Sequence, residues 1–422
     1  MRLLGLSSSL SIAALAVLLA ASAGCSGAGV AGDDDGGTPT GTSGGNDDDD
    51  DGTGSEGGST LITAGPGGSC SNADDQDGDA DGVTGAAGDC DDCDANVGPS
   101  AVEVEGNNKD DNCNGIVDEV SNCDEGLALD DGDPMNAAKA MGICQNAATD
   151  GYGVVQARWV RANGGQAAAS SQVGILDAFG PNVPALQGSK LLAISSGNAR
   201  IPGQPDACGS ESCTFSGGAA PPGFPQDVPG CAGDTAINDD IGLELRLKAP
   251  ANATGFRYRF RFYSFEFPEY VCTSFNDQYI ALVDPAPPGS INGNISFDSA
   301  TNPVSVNIAF FDACAGCNGW ASNCELEQIF DPSITCPPPP SPCCPDGPGA
   351  LAGTGFDTWA SDGAGGTSWL ETRAPITGGQ EFTIRFAIWD TGDQALDSTA
   401  VLDDFAWLGE PGVDTGTGEV PN

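Results

Sequence analysis

Phe256-Arg257-Tyr258-Arg259-Phe260-Arg261-Phe262-Tyr263 alternates apolar and basic side chains with period two. Successive side chains of an extended chain point to opposite faces, so this stretch is predicted as a half-buried antiparallel strand. Its neighbours read the same way. Gly153 to Val160, Lys190 to Ser195, Gly242 to Leu247, Gln278 to Val283, Val304 to Phe311, Phe382 to Trp389 and Thr399 to Trp407 are short apolar or alternating runs between turn residues. Gly and Pro clusters separate them, as in Pro285-Ala286-Pro287-Pro288-Gly289 and Pro337 to Pro340. One helix is predicted over Pro134–Cys144, with Asp133 as N-cap and Pro134 at the first helical position. Met135, Ala137, Ala138 and Met141 would form its buried face. Many short strands, one short N-terminal helix and no βαβ alternation define a mainly β chain, a β-sandwich or jelly roll. The aromatic residues of these strands are read as core before ligand platform.

The chain has 422 residues, with 60 acids, 14 bases and no His. A net charge of −46 excludes a nucleic-acid footprint, which needs a basic face, and disfavours docking on anionic lipid headgroups. Cations are the natural partners. The absence of His removes Ser-His-Asp and Cys-His catalysis and the HExxH zinc site. With 3 Met, soft-ligand copper sites are poorly supplied.

The 17 Cys set the compartment. Met1-Arg2 precedes an apolar run from Leu10 to Ala20, then Ala21-Ser22-Ala23-Gly24-Cys25, the layout of a secretory signal. The run falls short of the ~20 residues that span a bilayer. A Cys directly after small residues resembles the lipobox of bacterial lipoproteins, although Ser22 stands where that family has Leu. The resemblance implies a signal peptide over 1–24 and acylation of Cys25, which would tether the chain to a membrane at the outer surface. A plain secretory signal cleaved near Ala23 is the alternative. With Cys25 acylated, sixteen Cys remain, enough for up to eight disulfides in an oxidising compartment. Adjacent Cys343 and Cys344 are expected to take different partners, because a bond between neighbours is strained.

Residues 25–68 are Gly, Ser, Thr and Asp, including the run Asp47 to Asp51, and are expected to be a disordered acidic tether. Residues 69–122 carry few large apolar side chains, so disulfides or metal must hold them. Asp75, Asp77, Asp79 and Asp81 place a carboxylate at every second position before Gly82. Six to eight hard oxygens are what calcium requires. With Asp77 at position one of an EF-hand-type loop, Gly88 occupies position twelve, and Asp89, Asp91 and Asp92 are the nearby substitutes. A second loop repeats the pattern with Asp110, Asn112, Asn114, Asp118 and Glu119 around Gly115. The whole stretch resembles the MopE-type metal-binding motif of predicted bacterial lipoproteins. That name refers to copper, but an all-oxygen donor set without His favours calcium, with copper or zinc as lesser alternatives. Cys90-x-x-Cys93 and Cys314-x-x-Cys317, with Cys324 and Cys336, would be the zinc version, and disulfides are preferred there.

Residues 123–409 form the β domain, and 410–422 read as an unstructured tail. Val173 to Gly180, Leu191 to Gly197, Asn238-Asp239-Asp240, Phe265 to Tyr270, Ser274 to Tyr279 and Asp397 to Phe405 together resemble the bacterial choice-of-anchor L family. The resemblance implies an extracytoplasmic β module and no known reaction. Glu266, Glu269, Asn276, Asp277 and Asp404 are either a second calcium site or polar residues that cap turns, with turn capping preferred. The expected function is non-enzymatic: a calcium-binding, lipid-anchored envelope protein with a structural or adhesive role, whose partner is a surface polysaccharide or protein. The alternatives are a carbohydrate-binding module and, less favoured, a polysaccharide hydrolase built on Glu266 and Glu269.

Overall fold

A computed structural model describes residues 76–99, 101–104, 107–119, 122–307, 310–360, 363–409 and 412–420. In chain order the strands are β1 (Gly153–Val160), β2 (Val173–Leu176), β3 (Leu191–Ser195), β4 (Ile237–Lys248), β5 (Gly255–Ser264), β6 (Gln278–Asp284) and β7 (Val304–Ser305). They continue as β8 (Phe311–Cys314), β9 (Gly365–Thr367), β10 (Leu370–Pro375), β11 (Glu381–Thr391), β12 (Ser398–Leu408) and β13 (Gly416–Glu419). One sheet runs β1-β4-β11-β6-β7 and the other β13-β10-β5-β12-β3-β2, with β8 and β9 attached to β5. All the pairings are antiparallel. This is the expected mainly β, two-sheet fold.

The strand Phe256–Tyr263 lies at the centre of the second sheet as β5, between β10 and β12. Its even-numbered face packs on the opposite sheet. Phe256 stacks on Phe382 at 5.2 Å, Tyr258 meets Phe386 edge-on at 5.0 Å, and Phe260 meets Tyr279 at 4.9 Å between ring centroids. Each such ring stabilises the fold by about 1.5–3 kcal/mol through burial. The odd-numbered face is not open to solvent as a half-buried strand would have it. Arg257 is 3 % exposed. It pairs with Asp404 at 3.0 Å, and Arg259 pairs with Asp404 at 2.8 Å and Glu371 at 3.1 Å. Arg261 lies 5.4 Å from the ring centroid of Trp369. Burial pushes Glu371 up, yet Arg373, Arg257 and Arg259 outweigh it and hold its carboxyl below the usual range. Alternation in sequence therefore marks an ionic layer on one side of the strand and an aromatic layer on the other.

The other expected strands are present within one to five residues of their predicted ends, with one exception. Val304–Phe311 is not one strand. Val304 and Ser305 pair with β6 in the first sheet, while Phe311–Cys314 pairs with β9 in the second, so the chain changes sheets inside that stretch. Four further strands, β2, β9, β10 and β13, were not expected. The last corrects the reading of 410–422 as an unstructured tail: Gly416–Glu419 pairs with Arg373–Leu370 along the outer edge of β10. Small exposed residues there use backbone groups alone.

The predicted helix is α1 (Pro134–Ala140), and Asp133 Oδ1 accepts from Met135 N at 2.9 Å as an N-cap. It stops short of Cys144, because Gly142 takes φ +94° and Cys144 is bonded to Cys123. Two more helices, α2 (Ala147–Asp150) and α3 (Ser322–Phe330), correct the expectation of one. No helix among the described residues is long and apolar enough to cross a membrane. The described residues belong to one compact unit, and Val102 and Val104 of the Asp-rich segment join the main core alongside α1 and β5.

Replacing Arg257 with Met should lower unfolding free energy by about 3 kcal/mol, since Asp404 and Glu371 would stay buried with one cation fewer. The urea midpoint measures it, and an unchanged midpoint would show that Arg259 alone neutralises both acids.

Candidate metal centre

The first acidic loop closes on itself. Asp77 accepts from Ala80 N at 2.7 Å and Gly82 N at 3.1 Å, Asp79 from Asp81 N at 3.1 Å, and Asp81 from Val83 N at 2.7 Å. These are Asx-type turns, which alternating Asp favours. They aim one carboxylate oxygen from each of Asp77, Asp79 and Asp81 to within 4.8 Å of one another. Asp89 joins them. Burial first, then the charges of Asp81, Asp89 and Asp77, hold Asp79 above the usual carboxylate range; burial and the charge of Asp81 do the same for Asp89. Asp79 Oδ2 and Asp89 Oδ2 are shielded from solvent and accept no hydrogen bond. Asp89 follows loop position twelve by one residue, and its charge acts on Asp79. Asp92 accepts from Gly85 N at 2.9 Å, and its charge also acts on Asp89. Asp91 donates its backbone N–H to Asp89 Oδ1 at 2.9 Å. Asp75 and Cys25 lie outside the described residues.

The second loop also closes on its own backbone. Asp110 accepts from Asn114 N at 3.0 Å and Gly115 N at 2.7 Å, and Asn114 Oδ1 from Ile116 N at 2.8 Å. Gly115 takes φ +91°, which the turn needs and a side chain would strain. Glu119 Oε1 accepts from Asn112 Nδ2 at 2.7 Å and from Asn114 Nδ2, while its Oε2 is buried without a partner. Asp118 Oδ1 faces Asn108 N at 3.3 Å. Glu103, not expected as a site residue, braces the loop by accepting from Asp118 N at 2.8 Å and Asp111 N at 3.1 Å. Its signal in sequence was an acid in an otherwise apolar Val102-Glu103-Val104 run.

Disulfide Cys90–Cys113 ties the two loops together, and Cys93 is disulfide-bonded too. The sulfurs of the CxxC pairs are thus taken up as cross-links. Cys314 pairs with Cys344 and Cys317 with Cys343, so the adjacent cysteines do take different partners, and Cys324 pairs with Cys336.

The five candidate residues of the β domain separate. Asp404 belongs to the Arg257–Arg259 layer, which corrects its place in a second calcium site. Glu269 is half-buried beside Gly319 and Gly363. Glu266 is 1 % exposed, which corrects its pairing with Glu269 as a glycosidase dyad: a polysaccharide does not reach it. Glu266 and Asp277 instead meet each other, with Asp277 N 3.4 Å from Glu266 Oε2. Asp390 from the end of β11 and Asp397, the residue before β12, stand near enough for their charges to act on that pair, and neither was expected as a site residue. Each is an acid just beyond an expected strand, Phe382 to Trp389 or Thr399 to Trp407, and that position was the signal available in the sequence.

No curated protein matches the chain. One solved structure it is similar to is described as TmCBM61 in complex with beta-1,4-galactotriose, at 9 % identity over 61 % of this chain and 90 % of that one, with a TM-score of 0.23. At that score the likeness bears on neither fold nor ligand. The family model for the choice-of-anchor L domain matches residues 146–405, from the strand β1 approach to the ionic layer of β12. The chain belongs to the choice-of-anchor L domain family.

Proposed function

We propose that this protein is a non-enzymatic module of the cell envelope that binds calcium through its twin acidic loops and serves a structural or adhesive role at the surface. Choice-of-anchor domains occur in exported cell-surface proteins, and the anchor proposed here is a lipid on Cys25. The observation that carries the calcium reading is the pair of shielded oxygens, Asp79 Oδ2 and Asp89 Oδ2, which no donor satisfies, together with the carboxylates of Asp77 and Asp81 that converge on Asp79. Such oxygens are costly to leave unpaired, and a hard divalent cation satisfies them at once. The donor set is all oxygen, since the nearby sulfurs are cross-linked. Bound calcium would fix a segment that has little core of its own, so its binding free energy would add to folding free energy. A non-enzymatic role is supported by the burial of Glu266, the best carboxylate for acid catalysis.

Calorimetric titration of the oxidised protein lacking residues 1–25 should give heat with calcium, and Asp79→Asn should weaken that binding about tenfold or more. Heat from copper or zinc alone would overturn the ligand. Mass spectrometry of the membrane-extracted protein should find a thioether-linked lipid on Cys25; an N-terminus near Ala23 with no lipid would replace the anchor with plain secretion.

A further inference from the structure

At one end of the sandwich five acids are buried near one another. Glu266 follows β5, Asp277 precedes β6, Asp390 lies near the end of β11, Asp397 precedes β12 and Asp239 lies near the start of β4, so both sheets contribute. In that order they are 1 %, 0 %, 0 %, 4 % and 0 % exposed. Asp277 is firmly oriented: Oδ1 accepts from Thr391 N at 3.0 Å, Oδ2 accepts from Ser398 Oγ at 2.7 Å, and its own N–H faces Glu266 Oε2 at 3.4 Å. Asp397 Oδ2 accepts from Cys213 N at 2.8 Å, and Asp239 Oδ1 accepts from Phe215 N at 3.0 Å and Gln394 Nε2 at 3.1 Å. The second oxygen of each, Asp397 Oδ1 and Asp239 Oδ2, is buried without a donor. Asp390 has Ser196 beside it and the carboxyl group of Asp277 within hydrogen-bonding reach. The single proton of that serine hydroxyl also has the Ser398 carbonyl to serve, at 3.3 Å.

The charges around the cluster are nearly all of one sign. Asp393, in the connection from β11 to β12, adds to the field on Glu266 and Asp277. The end of β3 brings only the hydroxyls of Ser195 and Ser196. The Cys208–Cys213 loop adds Glu211, whose carbonyl accepts from Asp397 N at 2.9 Å. The base whose field reaches the cluster, Arg161 just after β1, acts on Asp239 but is bound to Asp240 at 3.1 Å. One metal ion does not serve the set: the oxygens of Glu266, Asp277 and Asp390 do not draw within 4.8 Å of one another, as those of Asp77, Asp79 and Asp81 do. Protons serve it. Ionised carboxylate oxygens only accept, so the bond between Asp277 and Asp390 requires a proton on one of them. Burial pushes Asp277 up to about 7 and Asp397 up to about 8. Burial first, then the neighbouring charges, holds Glu266 and Asp390 well above the usual carboxylate range, and burial raises Asp239 as well.

We propose that this cluster is a proton-held latch: its neutral carboxyls keep the β11–β12 connection closed on the loop between β5 and β6, and their ionisation releases that connection. Neighbouring carboxylates shut away from water repel each other, and each regains hydration by opening. The β5–β6 side is firmly held. Cys272 is bonded to Cys231, and Ala321 N and Asn323 N at the start of α3 donate to the carbonyls of Pro268 and Glu269 at 2.9 and 3.0 Å. The other side hangs on hydrogen bonds such as Leu396 N to Ser212 Oγ at 2.8 Å and Asn238 Nδ2 to Asp393 O at 2.7 Å. Release therefore falls on residues 392–397 and on the Cys208–Cys213 loop that touches them. The folded chain keeps protons that an unfolded chain gives up near pH ~4. The stability these protons lend is thus full below that pH and is lost as pH rises through about 7 to 8, where Asp277 and Asp397 ionise in the folded chain.

The test follows the whole folded protein at a fixed calcium concentration. Infrared spectra should show the carbonyl band of neutral carboxyls at about pH 6, where ordinary acids are ionised, and should lose it by about pH 9. Hydrogen exchange, expressed as protection relative to the intrinsic rate at each pH, should fall at least about tenfold for the amides of Thr391 and Cys213 between those two pH values. The amide of Phe260, in the middle of β5, should keep its protection. Asp403 also ionises near 7, and the amide of Leu186, which donates to it at 2.6 Å, reports that event separately. Asp390→Asn brings its own donor to Asp277 and should lose most of the fall at Thr391. The proposal is overturned by equal protection at both pH values, by an equal fall at Phe260, or by the absence of a neutral-carboxyl band at about pH 6. An Asp390→Asn protein that keeps the full fall overturns it too. Should that variant fail to fold, the band and the exchange of the unmutated chain decide.

Discussion

Charge neutrality inside a strongly acidic chain is the constraint on which this structure turns. Sixty acids share fourteen bases, so most carboxylates must stay in water and the buried ones compete for very few partners. Several of the bases stand on strands beside buried acids. Arg158 and Arg385 converge on Glu244 across three strands of one sheet, and Arg257 and Arg259 converge on Asp404 and Glu371 in the other. Each network lets a strand be buried on both faces while still alternating polar and apolar residues. Buried ion pairs offset little more than their own desolvation, but losing one member exposes the full cost. The positions of the few Arg residues thus decide which faces of the sheets can be covered at all.

The Asp-rich segment meets the same constraint with different means. It has almost no basic residues and few apolar ones, so neither ion pairs nor core can hold it. It relies instead on Asx turns, on Gly at positive φ, and on the Cys90–Cys113 bond. Among its described residues only Val102 and Val104 belong to the main core, and they dock the segment beside α1. Elsewhere, the paired bonds Cys314–Cys344 and Cys317–Cys343 join β8 to the Pro-rich stretch that follows α3, where regular hydrogen bonding is scarce. Covalent links are concentrated where the sheets do not extend.

Local pattern carried much of this into the sequence. The alternation of Phe256 to Tyr263, the Asp133-Pro134 cap and the apolar runs of β1, β6, β11 and β12 depend on neighbours a few residues away, and they were legible. The strands that were missed have weak local signals: Gly365-Gly366-Thr367 has no side-chain pattern, and Leu370–Pro375 carries two charges and ends in Pro. Helix α3 hid for a related reason, since Leu326, Ile329 and Phe330 are exposed and give no buried face to read. The convergence of Asp77, Asp79 and Asp81 was legible because the residues are adjacent. The meeting of Glu266 and Asp390 was not, because only the pairing of β11 with β6 and of β12 with β5 brings them together. Asp404 was misplaced for the converse reason: the register shift between Asp403 and Ala406 sits in the strand pairing, not in the sequence around it.

The borders of the two sheets are short or broken. The first sheet finishes on the two-residue β7, and its other border, β1, shifts register between Val154 and Gln156. The second finishes on the four-residue strands β2 and β13. A truncated or kinked border offers few unpaired amides in line, so another chain finds little to zip onto. Molecules crowded side by side at high local density would accordingly remain individual rather than polymerise into fibrils, and any lateral cohesion between them would have to come from side chains.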